Sequence, residues 1–279
     1  MRITRLLALL LILCFLHANA QETNWKVGVQ LWTFHEFSFE KSLERLDSTG
    51  LSYMEIYPGQ RIWEGADDAM GPGLSADKID RLKNLIQQHR LRITSFGVVI
   101  CEKPEEWEPN FQFAKALGIP VITAEPLERD LELVDKLAAH YQIRVAIHNH
   151  PQPSLYWHPD SVLKVIKAYP RYGACVDVGH WVRCGLDVMS SLQKLKGYIL
   201  GFHFKDVTPD KSNQVPPTFN DTILGRGLCD IPNVLSTLQR QGFKGYFAIE
   251  HEANWQNNVP DIIENKKYIQ RFSITDKKQ

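Results

Sequence analysis

Short apolar runs alternate with amphipathic stretches from residue 26 almost to the end of the chain. The runs at 26–34, 52–57, 92–100 and 120–125, and those starting at 145, 173, 199 and 246, predict strands. Between them lie helical stripes. Residues 39–48 form one, closed by Gly50. Ile79, Leu82 and Ile86 share a face behind a Ser75 cap. Leu127, Leu131, Val134 and Ala138 stripe another. Residues 105–117, 160–168, 187–195 and 262–272 add further helices. Ile231, Val234, Leu235 and Leu238 align behind an Asp230 cap, with Pro232 in the first turn and Gly242 at the end. The result is eight strand–helix units. The strands are apolar throughout, as parallel strands covered on both faces must be. The expected fold is therefore α/β, a single closed (β/α)8 barrel. An open doubly wound sheet would need a glycine-rich phosphate turn after its first strand, and residues 30–35 hold no glycine.

The first twenty residues stand apart from this pattern. Arg2 and Arg5 precede an apolar run from Leu6 to Leu16, and Ala18-Asn19-Ala20 has the small-x-small form of a cleavage site. This predicts a secretory leader at 1–20, a barrel domain at 21–279, and an exported protein, periplasmic or secreted. The run is too short to span a bilayer as a mature helix, so no stable membrane insertion is expected once the leader is cleaved. Loss of Arg2 and Arg5 leaves 30 basic against 32 acidic groups, a balance that gives no footprint for nucleic acid. The remaining cysteines, Cys101, Cys175, Cys184 and Cys229, show no metal-finger spacing. Cys175 reads as a small core residue inside a strand.

Chemistry gathers where the apolar runs stop. Asp177 ends one run, and His148, His203 and Glu250 end others. Two imidazoles and two carboxylates make a plausible set for one divalent metal, Mn, Zn, Co or Fe rather than Mg or Ca, which prefer all-oxygen shells. A single histidine at a strand end is usually structural, but four such endings on separate strands are hard to explain by packing. Alternate strand residues face the same way, so His150, Lys205 and Glu252 share faces with His148, His203 and Glu250. Glu250 is thus a candidate for both ligation and proton transfer. Glu125 is a candidate base or fifth ligand, against a helix-capping role, and Glu125 or His150 is a candidate for a second proton-exchanging group beside Glu250. Lys205 is placed to polarise a sugar oxygen, against a plain salt bridge with Asp177 or Glu250. His180 falls in the turn after Asp177, and Arg226 lies in the loop between Gly225 and Gly227. Glu55, Trp32 and Trp181 lie near strand ends as candidate substrate contacts, the tryptophans by stacking on a sugar face or by packing alone.

The motifs V-D-V-G-H at 176–180, G-F-H-F-K-D at 201–206, L-G-R-G-L-C-D-I-P at 224–232 and A-I-E-H-E at 248–252 resemble those of the xylose isomerase-like TIM barrel superfamily, the sugar phosphate isomerases/epimerases. The resemblance implies one divalent metal, a small carbohydrate as partner, and proton shifts on carbons next to a sugar carbonyl. It places Asp177, His203 and Glu250 as ligands, with His180 and Arg226 at substrate-contacting positions. Ketose epimerases of the family carry a glutamate where His148 stands here. That departure keeps open a lyase that eliminates the aglycone of a 3-keto-glycoside, and a sugar-binding barrel without turnover. A fold shared with enzymes that cut abasic DNA carries no weight at this charge. The sequence leaves the oligomeric state open.

Overall fold

A computed structural model of the protein describes residues 25–210 and 217–273, so the leader expected at 1–20 lies outside the described residues. The strands are β1 (Lys26–Gln30), β2 (Tyr53–Ile56), β3 (Arg92–Val99), β4 (Val121–Ala124), β5 (Arg144–His148), β6 (Tyr172–Asp177), β7 (Ile199–Phe204), β8 (Asp206–Pro209), β9 (Phe219–Thr222) and β10 (Tyr246–Ile249). The helices are α1 (Phe39–Thr49), α2 (Ala76–Gln88), α3 (Trp107–Ala116), α4 (Leu131–Tyr141), α5 (Pro159–Ala168), α6 (Val178–Arg183), α7 (Val188–Lys194), α8 (Ile231–Arg240) and α9 (Val259–Ser273). All strands but β8 and β9 close into a parallel barrel in the order β1-β10-β7-β6-β5-β4-β3-β2. This is the (β/α)8 barrel that the alternation predicts. No helix among the described residues is long and apolar enough to cross a membrane.

Helix ends follow local chemistry. Ser38 caps α1 by accepting the Lys41 N–H, and Gly50 closes it in the left-handed conformation at φ 64°. The barrel interior is filled rather than hollow. The Tyr246 hydroxyl lies 3.3 Å from Thr123 Oγ1, and a Cβ at Gly201 would stand 2.2 Å from the Tyr246 ring. Register then gathers the site. Asp177 pairs with His203 across β6 and β7, and His148 pairs with Cys175, two residues before Asp177. The Glu250 N–H reaches Phe204 O just past the end of β10.

Several local expectations change. The first strand stops at Gln30, whose side chain accepts the Trp32 N–H and turns residues 31–34 into a 3-10 helix. Ser75 and Asp230 stand at helix starts without capping side-chain bonds, and Asp230 instead accepts from Asn233. Residues 178–183, read as a turn, form α6, because the Asp177 carboxylate caps the His180 N–H at 2.9 Å.

The hairpin of β8 and β9 has no counterpart in the predicted pattern. Asp206, fully buried at its start, accepts the backbone N–H groups of Val207, Gly225, Gly227 and Cys229 at 2.8–3.0 Å. One carboxylate thereby shapes the loop from 224 to 230. A Cβ at Gly227 would meet Asp206 Oδ1 at 2.2 Å. Asp206→Asn turns an amide NH2 toward backbone donors. It is expected to cost about 2–3 kcal/mol and to speed amide exchange selectively in this loop. Unchanged exchange there would remove that role.

A candidate metal centre at the mouth of the barrel

His148, Asp177, His203 and Glu250 converge at the C-terminal end of the barrel, each offering a ligand atom within 4.8 Å of the others. All four residues are buried. One atom of each, His148 Nε2, Asp177 Oδ2, His203 Nδ1 and Glu250 Oε2, makes no aligned hydrogen bond. His203 Nδ1 lies 3.2 Å from Glu250 Oε2, and His148 Nε2 lies 3.9 Å from Asp177 Oδ2. Buried polar atoms left without partners are costly. Four of them facing one another fit a shared cation, and the nitrogen and oxygen donors match the set read from the sequence.

Each histidine is oriented from behind by a carboxylate. His148 Nδ1 lies 3.2 Å from Glu125 Oε1, leaving Nε2 toward the cluster. His203 Nε2 lies 2.9 Å from Glu55 Oε1, leaving Nδ1. Such outer carboxylates fix the tautomer and ring angle of a ligating imidazole. Glu55 is fully buried and also accepts from Ser95 Oγ at 2.5 Å. It therefore sits behind His203 and does not face substrate, correcting the substrate-contact expectation. Glu125 is held likewise. It accepts from His148, from the His150 ring and N–H, and from Ser154 Oγ at 2.7 Å. Burial pushes its pKa up, but the bonds from His148 and His150 outweigh that and hold it below the ordinary carboxylate range. Glu125 thus orients His148 and His150 and stands outside the groups of residues that could share an ion.

Lys205, only 2% exposed, lies beneath the cluster. Its Nζ donates to Glu252 Oε1 at 2.6 Å and stands 3.3 Å from Asp177 Oδ2 and 3.1 Å from Glu250 Oε2. Burial favours neutral lysine, yet Asp177, Glu250 and Glu252 overcome it and hold the pKa well above the ordinary value. Lys205 is thus a fixed positive charge in a salt-bridge network with Asp177, Glu250 and Glu252, and it does not line the cavity where a sugar oxygen would sit. Burial raises the Glu250 pKa, but Lys205 and His203 pull it well below the usual range.

His180 lines the cavity above the cluster, with Nε2 3.3 Å from Asp177 Oδ2. Its Nδ1 lies 3.2 Å from Arg183 Nη1, which can only donate, so Nδ1 accepts and Nε2 carries the proton. Burial first, then the charges of Lys205, His148 and Arg183, keep its pKa well below the ordinary histidine value. Arg183 is anchored by Asp221 Oδ1 at 2.7 Å, and Asp221 Oδ2 also accepts the Glu252 N–H at 2.8 Å. The sequence reading missed Arg183 and Asp221, because nothing in the local pattern connects them.

The cavity over the cluster encloses about 420 Å³. Its polar side holds Gln30, His150, His180, Glu250 and Glu252. Trp32 also lines the cavity. Two expected contacts are not there. Trp181 is fully buried on α6 and has no face to offer a sugar. Arg226 pairs with Glu264 of α9 and does not line the cavity. The four cysteines Cys101, Cys175, Cys184 and Cys229 are free thiols.

Glu55→Gln is expected to weaken Mn binding 10- to 100-fold, roughly the cost of losing such an orienting partner, as read by calorimetric titration. Unchanged affinity would leave Glu55 without a role at the centre.

The model of the xylose isomerase-like TIM barrel family matches residues 43–272. An Escherichia coli (strain K12) protein with the provisional name L-ribulose-5-phosphate 3-epimerase SgbU is 30% identical over 104 residues, a stretch covering 37% of this chain and 36% of that protein. An uncharacterized protein from Parabacteroides distasonis ATCC 8503, solved by crystallography, is 30% identical at a TM-score of 0.71, over 88% of this chain and 98% of that one. A xylose isomerase-like TIM barrel protein from Mycobacterium smegmatis, solved in complex with magnesium, superposes with a TM-score of 0.71 at 15% identity, over 90% of this chain and 97% of that one.

Proposed function

The chain belongs to the xylose isomerase-like TIM barrel family, and from that premise we propose an exported, metal-dependent isomerase or epimerase that removes a proton next to the carbonyl of an unphosphorylated sugar. The observation that carries this is the convergence of four ligand atoms without a hydrogen-bond partner beside a cavity that holds further titratable groups. His148, Asp177, His203 and Glu250 would hold the ion, Mn first among the candidates. When bound, it supplies positive charge to sugar oxygens next to the reacting carbon.

The chain's own residues supply the rest. Glu250 follows β10 on the cavity wall and can take the proton from carbon. His150 follows β5, three strands round the barrel, and its Nδ1 faces Glu125, which leaves Nε2 to exchange protons with substrate. Lys205 holds a fixed positive charge under both carboxylates. Neutral His180 presents an N–H at its Nε2. Metal-loaded protein in deuterium oxide is expected to place deuterium on the carbon next to the carbonyl of a ketose or aldose. No incorporation across a panel of free sugars would overturn isomerisation and epimerisation.

One observation favours elimination from a 3-keto-glycoside as a second reading. The carboxylates lining the cavity, Glu250 and Glu252, both follow β10, while His148 and Glu125 are paired with each other on another side. Elimination needs one base, whereas epimerisation needs proton exchange on two faces. Release of an unsaturated keto sugar from a 3-keto-glucoside, without deuterium entering free ketoses, would select this reading.

A further inference from the structure

We infer that the cavity takes an uncharged sugar bearing an apolar, ring-sized substituent, seated on the wall of Trp32, Tyr57 and Ile100. This deepens the proposed function and rests on it for the sugar end of the site. The cavity is divided. Its polar groups gather near the candidate metal centre. The remaining wall, Trp32, Tyr57, Pro58, Val98, Ile100 and Pro151, is mostly carbon, with the Trp32 indole N–H and the Tyr57 hydroxyl as its side-chain polar groups.

Size and exposure point the same way. A cavity of about 420 Å³ falls in the range of roughly 300–1,000 Å³ that holds ligands of drug size. Ile100 is 61% exposed and Trp32 43% exposed, although both border a deep site. Exposed apolar surface in a cleft marks a surface that a ligand covers. The Trp32 ring is also held in place. It stacks on His35 at 4.7 Å and 16°, and meets Tyr57 edge-on at 5.2 Å and 80°. A fixed indole plate beside an aliphatic side chain suits an aromatic ring. A second sugar there would find two side-chain polar groups, on Trp32 and Tyr57, for its several hydroxyls.

Charge separates this occupant from a phosphorylated one. Among the described residues lining the cavity there is no lysine or arginine, and the charged ones are Glu250 and Glu252. Lys205, beneath them, is already surrounded by three carboxylates. A phosphate at the apolar end of the cavity would meet no lysine or arginine among the described lining residues.

The test is binding, not turnover. Calorimetry on metal-loaded protein compares phenyl with methyl β-glycosides of glucose, galactose and xylose, and glucose with glucose 6-phosphate. At least one phenyl glycoside is expected to bind about 10-fold tighter than its methyl counterpart, from burial of the ring. Glucose 6-phosphate is expected to bind more weakly than glucose. Ile100→Ser, at an exposed position, and Trp32→Ala should each bring the phenyl-to-methyl ratio down toward one while the protein stays folded. A ratio near one in every pair, binding in none, or tighter binding of the phosphate would overturn the inference. So would a change of oligomeric state in the two variants with the ratio unmoved, which would make this wall an interface between copies. A protein that catalyses neither proposed reaction but keeps the phenyl preference would sink the function and keep this subsite. Deuterium exchange with a ratio of one would do the reverse.

Discussion

Lys205→Met is expected to destabilise the metal-free protein by about 3–5 kcal/mol, the usual cost of removing one partner from a buried charge network. The lysine is 2% exposed, and its Nζ lies within 3.3 Å of Asp177, Glu250 and Glu252. Methionine fills much of the volume but leaves these carboxylates without a fixed counter-charge. The pKa values of Asp177 and Glu250, which Lys205 holds down, would then rise. For Glu250, burial already pushes upward and Lys205 is the largest opposing influence. Carboxyl protonation would bring back part of the lost stability in acid, so the deficit should widen as pH rises. Urea unfolding at two pH values measures it. Added Mn should recover part of the loss, because the ion restores positive charge beside the same oxygens. A loss below about 1 kcal/mol, the worth of a surface pair, would mean that the network is not the electrostatic centre of the barrel.

The second large effect concerns Glu250→Gln. The amide keeps an oxygen beside His203 and Lys205 but cannot accept a proton from carbon. Deuterium exchange into the substrate sugar is expected to fall about 10³-fold, within the range for loss of a general base, while the phenyl glycoside that binds the parent still binds. His150→Gln gives the contrast. If epimerisation uses both walls, it falls steeply in both variants. If elimination is the reaction, the His150 variant keeps most of its activity. Retention of full exchange in Glu250→Gln would remove Glu250 from the chemistry and leave it a ligand only.

The barrel was legible because each strand is a short apolar run and each helix carries an apolar stripe, so one pattern repeats along the chain. The four candidate ligands were legible for a related reason. A carboxylate or imidazole at the end of an apolar run breaks the pattern, as with Asp177 at the end of β6 and His148 at the end of β5. Glu55 and Glu125 break it in the same way, and local sequence gives nothing to tell them from ligands. Their roles are set across the barrel, where Glu55 meets His203 at a separation of 148 residues. Trp181 was misplaced because the Asp177 cap starts a helix that its short, mixed sequence does not announce, and that helix packs the indole inward. Arg226 is drawn outward by Glu264, a residue of the last helix. The β8–β9 hairpin went unseen because Asp206–Pro209 and Phe219–Thr222 lack an apolar run. Yet it supplies Asp206 to the 224–230 loop and Asp221 to Arg183 and Glu252.

The central claim is that the four atoms of His148, Asp177, His203 and Glu250 that lack a hydrogen-bond partner are the ligands of one ion. Elemental analysis of the purified protein, with His203→Ala beside it, tests this most directly. The expected result is about one equivalent of Mn, Co, Zn or Fe in the parent and none in the variant, with both folded by circular dichroism. No metal in the parent after reloading, or equal metal in the two, would contradict the account.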